Sequence, residues 1–181
     1  IVGTPTPNTP LFVGKPNNGL VTIPLQRGVY NGVPYTTPSG AIATRWDDNW
    51  NLVGNPYPSA ISADVFLSVN SSRLGQDISP LTRGTLYLWR HLSAPSVVES
   101  SPFYDGFLYN YSSGDYITYN LTGSAPPGFN GDIAAGQSFF VMALSNTSPT
   151  ANIVFANSMR NETLDNSQFY RTEESLEKHR I

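Results

Sequence analysis

The sequence has no cysteine, only two histidines and few charged residues, and each shortage excludes a kind of site or partner. Without cysteine, the chain forms no disulfide and holds no metal through thiolates. Charged residues make up 13% of the chain, about half the share of an average soluble domain. Nucleic-acid binding needs a basic stripe, which ten scattered lysines and arginines at a net charge of −3 do not form. No apolar run approaches the ~20 residues that span a bilayer.

The residues that are abundant favour an extracellular β-protein. Fifteen glycines and 15 prolines are spread along the chain, as expected for many short strands joined by turns. Aromatic residues reach 12%, and tyrosine, asparagine, serine and threonine take the place of charge on the surface. We therefore expect a bacterial protein segment located outside the cell or on its surface.

Short apolar runs predict strands, and one segment predicts a helix. Gly54, Pro56 and Pro58 make a tight corner after the strand that begins at Trp50. A short helix is predicted over residues 59–69, capped by Ser59 or Ser62. The main predicted strands are 20–25, 41–44, 50–53, 84–91, 107–111, 115–120, 137–144 and 152–155.

These elements predict an all-β protein, namely a β-sandwich of jelly-roll or immunoglobulin-like type with one short helix near residues 59–69. Residues 1–10 are expected to be a linker or an edge strand, and residues 11–159 the sandwich domain. Nine of the 22 residues from position 160 onward are charged, against 14 of the preceding 159. Residues 160–181 are therefore expected to lead into a following domain of the same polypeptide.

Five segments together resemble a module of large secreted surface proteins of Bacteroidetes. They include the corner from Trp50 to Ile61 and a glycine-glutamine-aromatic strand from Ala135 to Val141. The other segments are residues 12–19, 84–89 and 155–160. Proteins with this module are typically exported by the type IX secretion route, which carries gliding adhesins and polysaccharide-degrading enzymes. The resemblance implies a cell-surface, adhesin-like module, and it transfers no catalytic residue.

The residues themselves also argue against catalysis. His91 is interpreted as a hydrogen-bonded strand histidine and His179 as part of the charged tail. No Gly-x-Ser-x-Gly elbow is present, and no pair of carboxylates sits in a diagnostic setting. We predict that the chain is not an enzyme and needs no cofactor. Calcium is the one ion considered, with Asp47 and Asp48 as weak candidate ligands in an oxygen-rich turn; ordinary turn hydrogen bonding is the favoured interpretation.

Sugar binding is the most specific hypothesis. Exposed tryptophan and tyrosine rings stack on pyranose rings while neighbouring polar groups bond the hydroxyls. The candidate platform comprises Trp46, Asp47, Asp48, Tyr109, Tyr111 and Tyr116. In the alternative interpretation Trp50 and Trp89 lie in the core and the tyrosines form cross-strand pairs.

Two functions therefore remain open. The first is a non-catalytic extracellular module of a multidomain surface protein, used for adhesion or display. The second is a carbohydrate-binding module of a secreted polysaccharide-degrading enzyme. Glycans or surface polysaccharide and neighbouring domains of the same polypeptide are the expected partners.

Overall fold

The computed structural model describes residues 13–44, 47–75, 84–90, 96–97, 112–121 and 127–167. Within these ranges the chain forms ten short strands, one α-helix and two 3₁₀ turns. The strands are β1 (Val21–Pro24), β2 (Tyr35–Thr36), β3 (Ile42–Ala43), β4 (Trp50–Gly54), β5 (Ile61–Ser62), β6 (Thr85–Trp89), β7 (Tyr116–Asn120), β8 (Asp132–Ile133), β9 (Ser138–Met142) and β10 (Asn152–Phe155). The helix is α1 (Ala63–Asn70), and the 3₁₀ turns are Ser113–Asp115 and Asn157–Met159.

The largest element is a four-stranded antiparallel sheet in the order β4-β9-β6-β7, called the central sheet below. Its side chains alternate between the two faces, as the pleat requires. The inner face is made of buried residues such as Val53, Val141 and Leu88. The other described strands pair in twos, β1 with β10, β2 with β3 and β5 with β8, all antiparallel.

The hydrophobic core lies where the central sheet, α1 and β10 meet. The Phe66 ring of α1 has its centroid 5.1 Å from that of Phe139 on β9 and 5.1 Å from that of Phe155 on β10. All three side chains are buried. Each burial of a side chain this size contributes about 1.5–3 kcal/mol, so Phe66 is the main hydrophobic link between the helix and both strands.

A buried asparagine joins the end of α1 to β10. Asn70 is fully buried, and its Nδ2 donates to the carbonyls of Phe66 and Val154, each at 2.9 Å. Its Oδ1 accepts the Val154 N–H at 2.9 Å. All the polar atoms of this amide are thereby satisfied, as burial requires.

The helix was expected over residues 59–69 and occupies Ala63–Asn70. Its start is later because Ile61 and Ser62 first pair with Ile133 and Asp132 as a strand. Ser62 is the cap, since its Oγ accepts the Val65 N–H at 3.3 Å. Ser59, the other candidate cap, instead accepts a hydrogen bond from the Arg160 guanidinium.

In the corner between β4 and α1, two side chains form hydrogen bonds that reach distant parts of the chain. Asn55 Nδ2 donates to the carbonyls of Ser59, Ile133 and Ala134, while its Oδ1 accepts the Tyr57 N–H. The Tyr57 hydroxyl donates to the Gly19 carbonyl at 2.6 Å. The corner therefore fixes the chain locally and ties β8 to the start of the domain.

The all-β prediction is confirmed, with one short helix in the described residues. Strands are present in seven of the eight ranges given above; the eighth, 107–111, lies outside the described residues, as do positions 1–10. The pattern missed β2, β5 and β8 because two-residue strands carry no periodicity. No helix in the described ranges is long and apolar enough to cross a membrane.

Candidate functional site

Asp47 and Asp48, two residues of the sequence-derived sugar platform, lie in the turn before β4. Asp47 Oδ2 accepts the Thr44 N–H at 3.0 Å and the Thr44 hydroxyl at 2.7 Å. Asp48 Oδ2 accepts the Tyr30 N–H at 2.8 Å and the Tyr35 hydroxyl at 3.0 Å. These two carboxylates therefore accept hydrogen bonds from nearby N–H and O–H groups of the same chain, as is common for aspartates in turns.

The hydrogen bonds that Asp48 accepts lower the pKa of its carboxyl group. Partial burial raises the pKa of this carboxyl, but the N–H groups of Tyr30 and Asn49 and the Tyr35 hydroxyl outweigh it and hold the pKa below 3.8. The same hydrogen bond raises the pKa of Tyr35. A carboxylate that accepts several hydrogen bonds stays charged. Asp48 is thus an anionic brace that joins residues 29, 30 and 35 to the start of β4.

Tyr116, the one other member of this platform that the structure describes, is not brought to this turn. Tyr116 is on β7, at the edge of the central sheet opposite to β4. Three strand spacings of about 4.8 Å separate these two edges. Trp46, Tyr109 and Tyr111 lie outside the described residues.

Tyr116 belongs to a different cluster, the outer surface of the central sheet, which we call the aromatic face. Five aromatic side chains occupy it: Trp50, Tyr87, Trp89, Tyr116 and Phe140. None of the five belongs to the hydrophobic core. Their strands place them on one side, because each alternates with buried residues of the inner face.

The rings of the aromatic face contact one another edge to face. Trp50 lies 4.9 Å from Tyr87 between ring centroids and 6.4 Å from Phe140, and Phe140 lies 6.1 Å from Tyr116. These distances and the steep angles between the rings are those that aromatic quadrupoles prefer. Because β9 separates β4 from β6, the Trp50 and Tyr87 side chains meet above β9, where Met142 is buried.

Of the five aromatic side chains, the two exposed ones lie where the end of β6 pairs with the start of β7. Trp89 and Tyr116 are paired across β6 and β7, and they are 42% and 39% exposed. Leu52, opposite Phe140, is 62% exposed. Partly exposed aromatic rings grouped on one sheet face are uncommon unless they bind something, since such patches are typical of interaction sites.

Two small residues on β4 and β9 predict a low area of the outer face near the exposed pair, which we call the depression. Gly54 of β4 lies opposite Ser138 of β9, so the outer face carries only a hydrogen and a hydroxymethyl group there. Tyr87 is opposite Phe140, and two residues further along these antiparallel strands Trp89 comes level with Ser138. Trp89 therefore stands beside a low floor that ends in the exposed Ser138 hydroxyl.

On the inner side of the central sheet, the buried Tyr119 and the exposed Asp64 form a separate hydrogen-bonded pair. The Tyr119 hydroxyl donates a short hydrogen bond to the Asp64 carboxylate, and its ring packs 4.8 Å from Phe129. Burial, followed by this hydrogen bond, raises the pKa of Tyr119 to about 12. The Asp64 carboxylate thus helps to hold α1 against β7.

A second concavity adjoins the corner after β4. It is an open groove of about 710 Å³ lined by Val13–Asn17, Asn55–Pro58, Ala135 and Gly136. Its walls are mostly apolar, and Lys15 supplies the one charged side chain among these lining residues. Tyr57 at its base is only 2% exposed, with the Arg160 guanidinium 4.9 Å from its ring centroid. The tyrosine therefore supports the fold and presents little surface to a ligand.

The sugar platform predicted from the sequence shares one residue, Tyr116, with the aromatic face. Alternation correctly separated Leu86 and Leu88 from Tyr87 and Trp89, but the two tryptophans were weighed as core residues. The sequence of β6 does indicate which residues face outward, because its two leucines alternate with Tyr87 and Trp89. On β6 the aliphatic Leu86 and Leu88 enter the core, so Tyr87 and Trp89 lie on the outer face.

Comparison with known proteins places the chain in a family. It belongs to the family described as Domain of unknown function (DUF8693), whose model matches residues 2–181. No curated protein and no solved structure matches the chain.

Proposed function

We propose that the chain is a non-catalytic extracellular module of a multidomain bacterial surface protein, and that it serves adhesion by binding glycans on the aromatic face. The observation that carries this proposal is the exposed pair Trp89 and Tyr116, which adjoins Phe140 on the same sheet surface. Of the two functions left open by the sequence, this geometry supports a ligand-binding role more than passive display.

The chemistry of sugars fits this surface. One face of a pyranose ring exposes mainly C–H groups, and aromatic rings offer it a rigid apolar surface at a small cost in side-chain entropy. The exposed Thr118 and Ser138 hydroxyls lie on the same face, where they donate to or accept from sugar hydroxyls. Such a mixture of aromatic area and a few polar groups is typical of small-molecule sites.

The proposal includes a finer description of the fold and setting. We propose a β-sandwich of jelly-roll or immunoglobulin-like type, with the central sheet as one layer and the β1–β10 pair in the other. The resemblance to Bacteroidetes surface proteins supports type IX export and a place beside further domains. Calcium has no part in the proposal, because the Asp47 and Asp48 oxygens already accept hydrogen bonds from the chain.

The test is binding of the chain to immobilised polysaccharides, measured by affinity electrophoresis and isothermal titration across a wide panel. Trp89→Ala and Tyr116→Ala each remove one exposed ring, and we expect each to weaken binding at least tenfold. Val33→Ala is the matched control, because Val33 is an exposed apolar residue away from the central sheet. Thermal unfolding followed by circular dichroism checks that the variants stay folded.

Two results would contradict the proposal. One is glycan binding that persists unchanged in both aromatic variants, which would move the site elsewhere. The other is absence of binding to every polysaccharide together with a concentration-dependent dimer in light scattering that the Trp89→Ala change abolishes. That outcome would make the aromatic face a contact between copies of the chain.

A further inference from the structure

The aromatic face carries no charge. Each of its four strands places three residues on the outer face, and none of these residues is aspartate, glutamate, lysine, arginine or histidine. The polar residues among them are neutral: Thr85, Thr118, Asn120 and Ser138. The structure describes every residue of these four strands, and the statement covers those strand residues.

This lack of charge bears on the kind of glycan the face accepts. A carboxylate or sulfate group on a sugar is strongly hydrated, and an apolar surface without a cation does not repay its desolvation. Proteins that hold such groups place arginine or lysine against them. A surface with aromatic rings and neutral hydroxyls instead suits a sugar that carries only hydroxyl groups.

The depression beside Trp89 gives the ligand a defined position. Gly54 and Ser138 are small residues opposite each other on the outer face, and continuing the β6–β9 register by two residues brings Trp89 level with Ser138. A Cβ added at Gly54 would lie 3.4 Å from Ser138 Oγ and 3.8 Å from the Gln137 carbonyl, which is ordinary contact distance. The glycine is therefore not required by the backbone, although it keeps the floor of the depression low.

From these observations we infer that the aromatic face is specific for a neutral polysaccharide, one of whose sugar rings lies above Gly54 and Ser138 against Trp89. This inference rests on the proposed function and adds to it the ligand class and the subsite. Trp89 supplies the stacking surface, Ser138 a hydroxyl for hydrogen bonding, and Gly54 the space.

The ligand class is tested with matched pairs of polymers. The chain is titrated with neutral glucans, xylans and mannans and with acidic polymers, namely polygalacturonate, alginate and a sulfated galactan, at 20 mM and 500 mM NaCl. We expect binding to at least one neutral polymer, with an affinity that changes less than twofold between the two salt concentrations because no charge pair is screened.

The binding results distinguish a failure of the neutral ligand class from a failure of glycan binding as such. Binding to acidic polymers alone that weakens steeply with salt and is lost in Trp89→Ala would leave the proposed function standing and overturn the neutral class. No binding to any polymer of either kind would overturn both.

The subsite is tested by filling the depression. Gly54→Val places two methyl groups over the floor, and we expect at least a tenfold loss of affinity with no loss of thermal stability, since valine favours strands. Ser138→Ala should weaken binding by a smaller factor of two to five. Thr22→Ile is the control, because it enlarges an exposed strand residue on β1. Unchanged binding by Gly54→Val would place the ligand elsewhere on the face.

Discussion

Gly28 and Asp48 show how one missing side chain decides the position of a charged one. A Cβ added at Gly28 would lie 1.6 Å from Asp48 Oδ1 and 2.2 Å from its Cγ. Asp48 has little freedom to move away, because its carboxylate bonds the Tyr30 N–H, the Asn49 N–H and the Tyr35 hydroxyl. The glycine therefore provides the space that this brace occupies.

We expect Gly28→Ala to lower the free energy of unfolding by about 1–3 kcal/mol, the usual cost of overpacking, because the carboxylate must give up hydrogen bonds to make room. Chemical denaturation measures the change. Gly114→Ala is the control, since Gly114 is exposed and a Cβ there meets only Ser112 Oγ at 3.5 Å. Equal stability of the two variants would show that Asp48 shifts at no cost.

At the scale of elements, the helix depends on its first turn. Ser62 caps α1 through the Val65 N–H, and Asp64 places a negative charge near the positive end of the helix dipole. With eight residues, α1 is too short to be stable alone and relies on this cap and on its buried face.

Ser62→Ala removes the cap and should lower the free energy of unfolding by about 1 kcal/mol. Ser68→Ala changes the same residue type on the exposed side of α1 and should leave the stability within about 0.5 kcal/mol of the parent. Thermal unfolding of both variants gives the comparison. A loss of similar size in both would mean that Ser62 contributes no more than an ordinary surface serine.

Much of the element level could be predicted from the sequence. Alternation located β6, and apolar runs located β4, β9 and β10. Which face of a strand is buried could not be predicted from one strand alone. Phe139 and Phe140 are equally apolar, yet one enters the core and the other joins the aromatic face, because the partner strands and α1 decide the side.

At the scale of the whole molecule, Arg160 gathers distant parts of the chain. Its Nε donates to Ser59 Oγ at 2.8 Å, its Nη1 lies 3.3 Å from both Asn18 Oδ1 and Asn157 Oδ1, and its guanidinium lies over Tyr57. This planar group combines a stacked contact with directed hydrogen bonds, which lysine does not reproduce. The sequence alone shows the increase in charged residues from position 160 onward. The contacts of Arg160 with distant residues depend on the folded chain and could not be predicted from the sequence.

We expect Arg160→Lys to keep the charge yet lower the free energy of unfolding by about 1–3 kcal/mol, since it loses the stacked guanidinium and its shared hydrogen bonds. Lys15→Ala, at an exposed cation, is the control and should change stability by less than about 0.5 kcal/mol. Urea denaturation distinguishes the two. If Arg160→Lys is as stable as the parent chain, the stacked guanidinium and its shared hydrogen bonds do not contribute to the free energy of unfolding.

The buried amide of Asn70 has a practical consequence for producing the protein. Asn70, Ser71 and Ser72 form an acceptor sequence for N-linked glycosylation, which secretory pathways of eukaryotic cells modify while the chain is still unfolded. A glycan on Asn70 has no room in the folded domain, where the amide is fully buried and bonded to Phe66 and Val154. Secretion from yeast or mammalian cells should therefore yield misfolded protein unless Ser72 is replaced by alanine, whereas a bacterial cytoplasmic host avoids the modification.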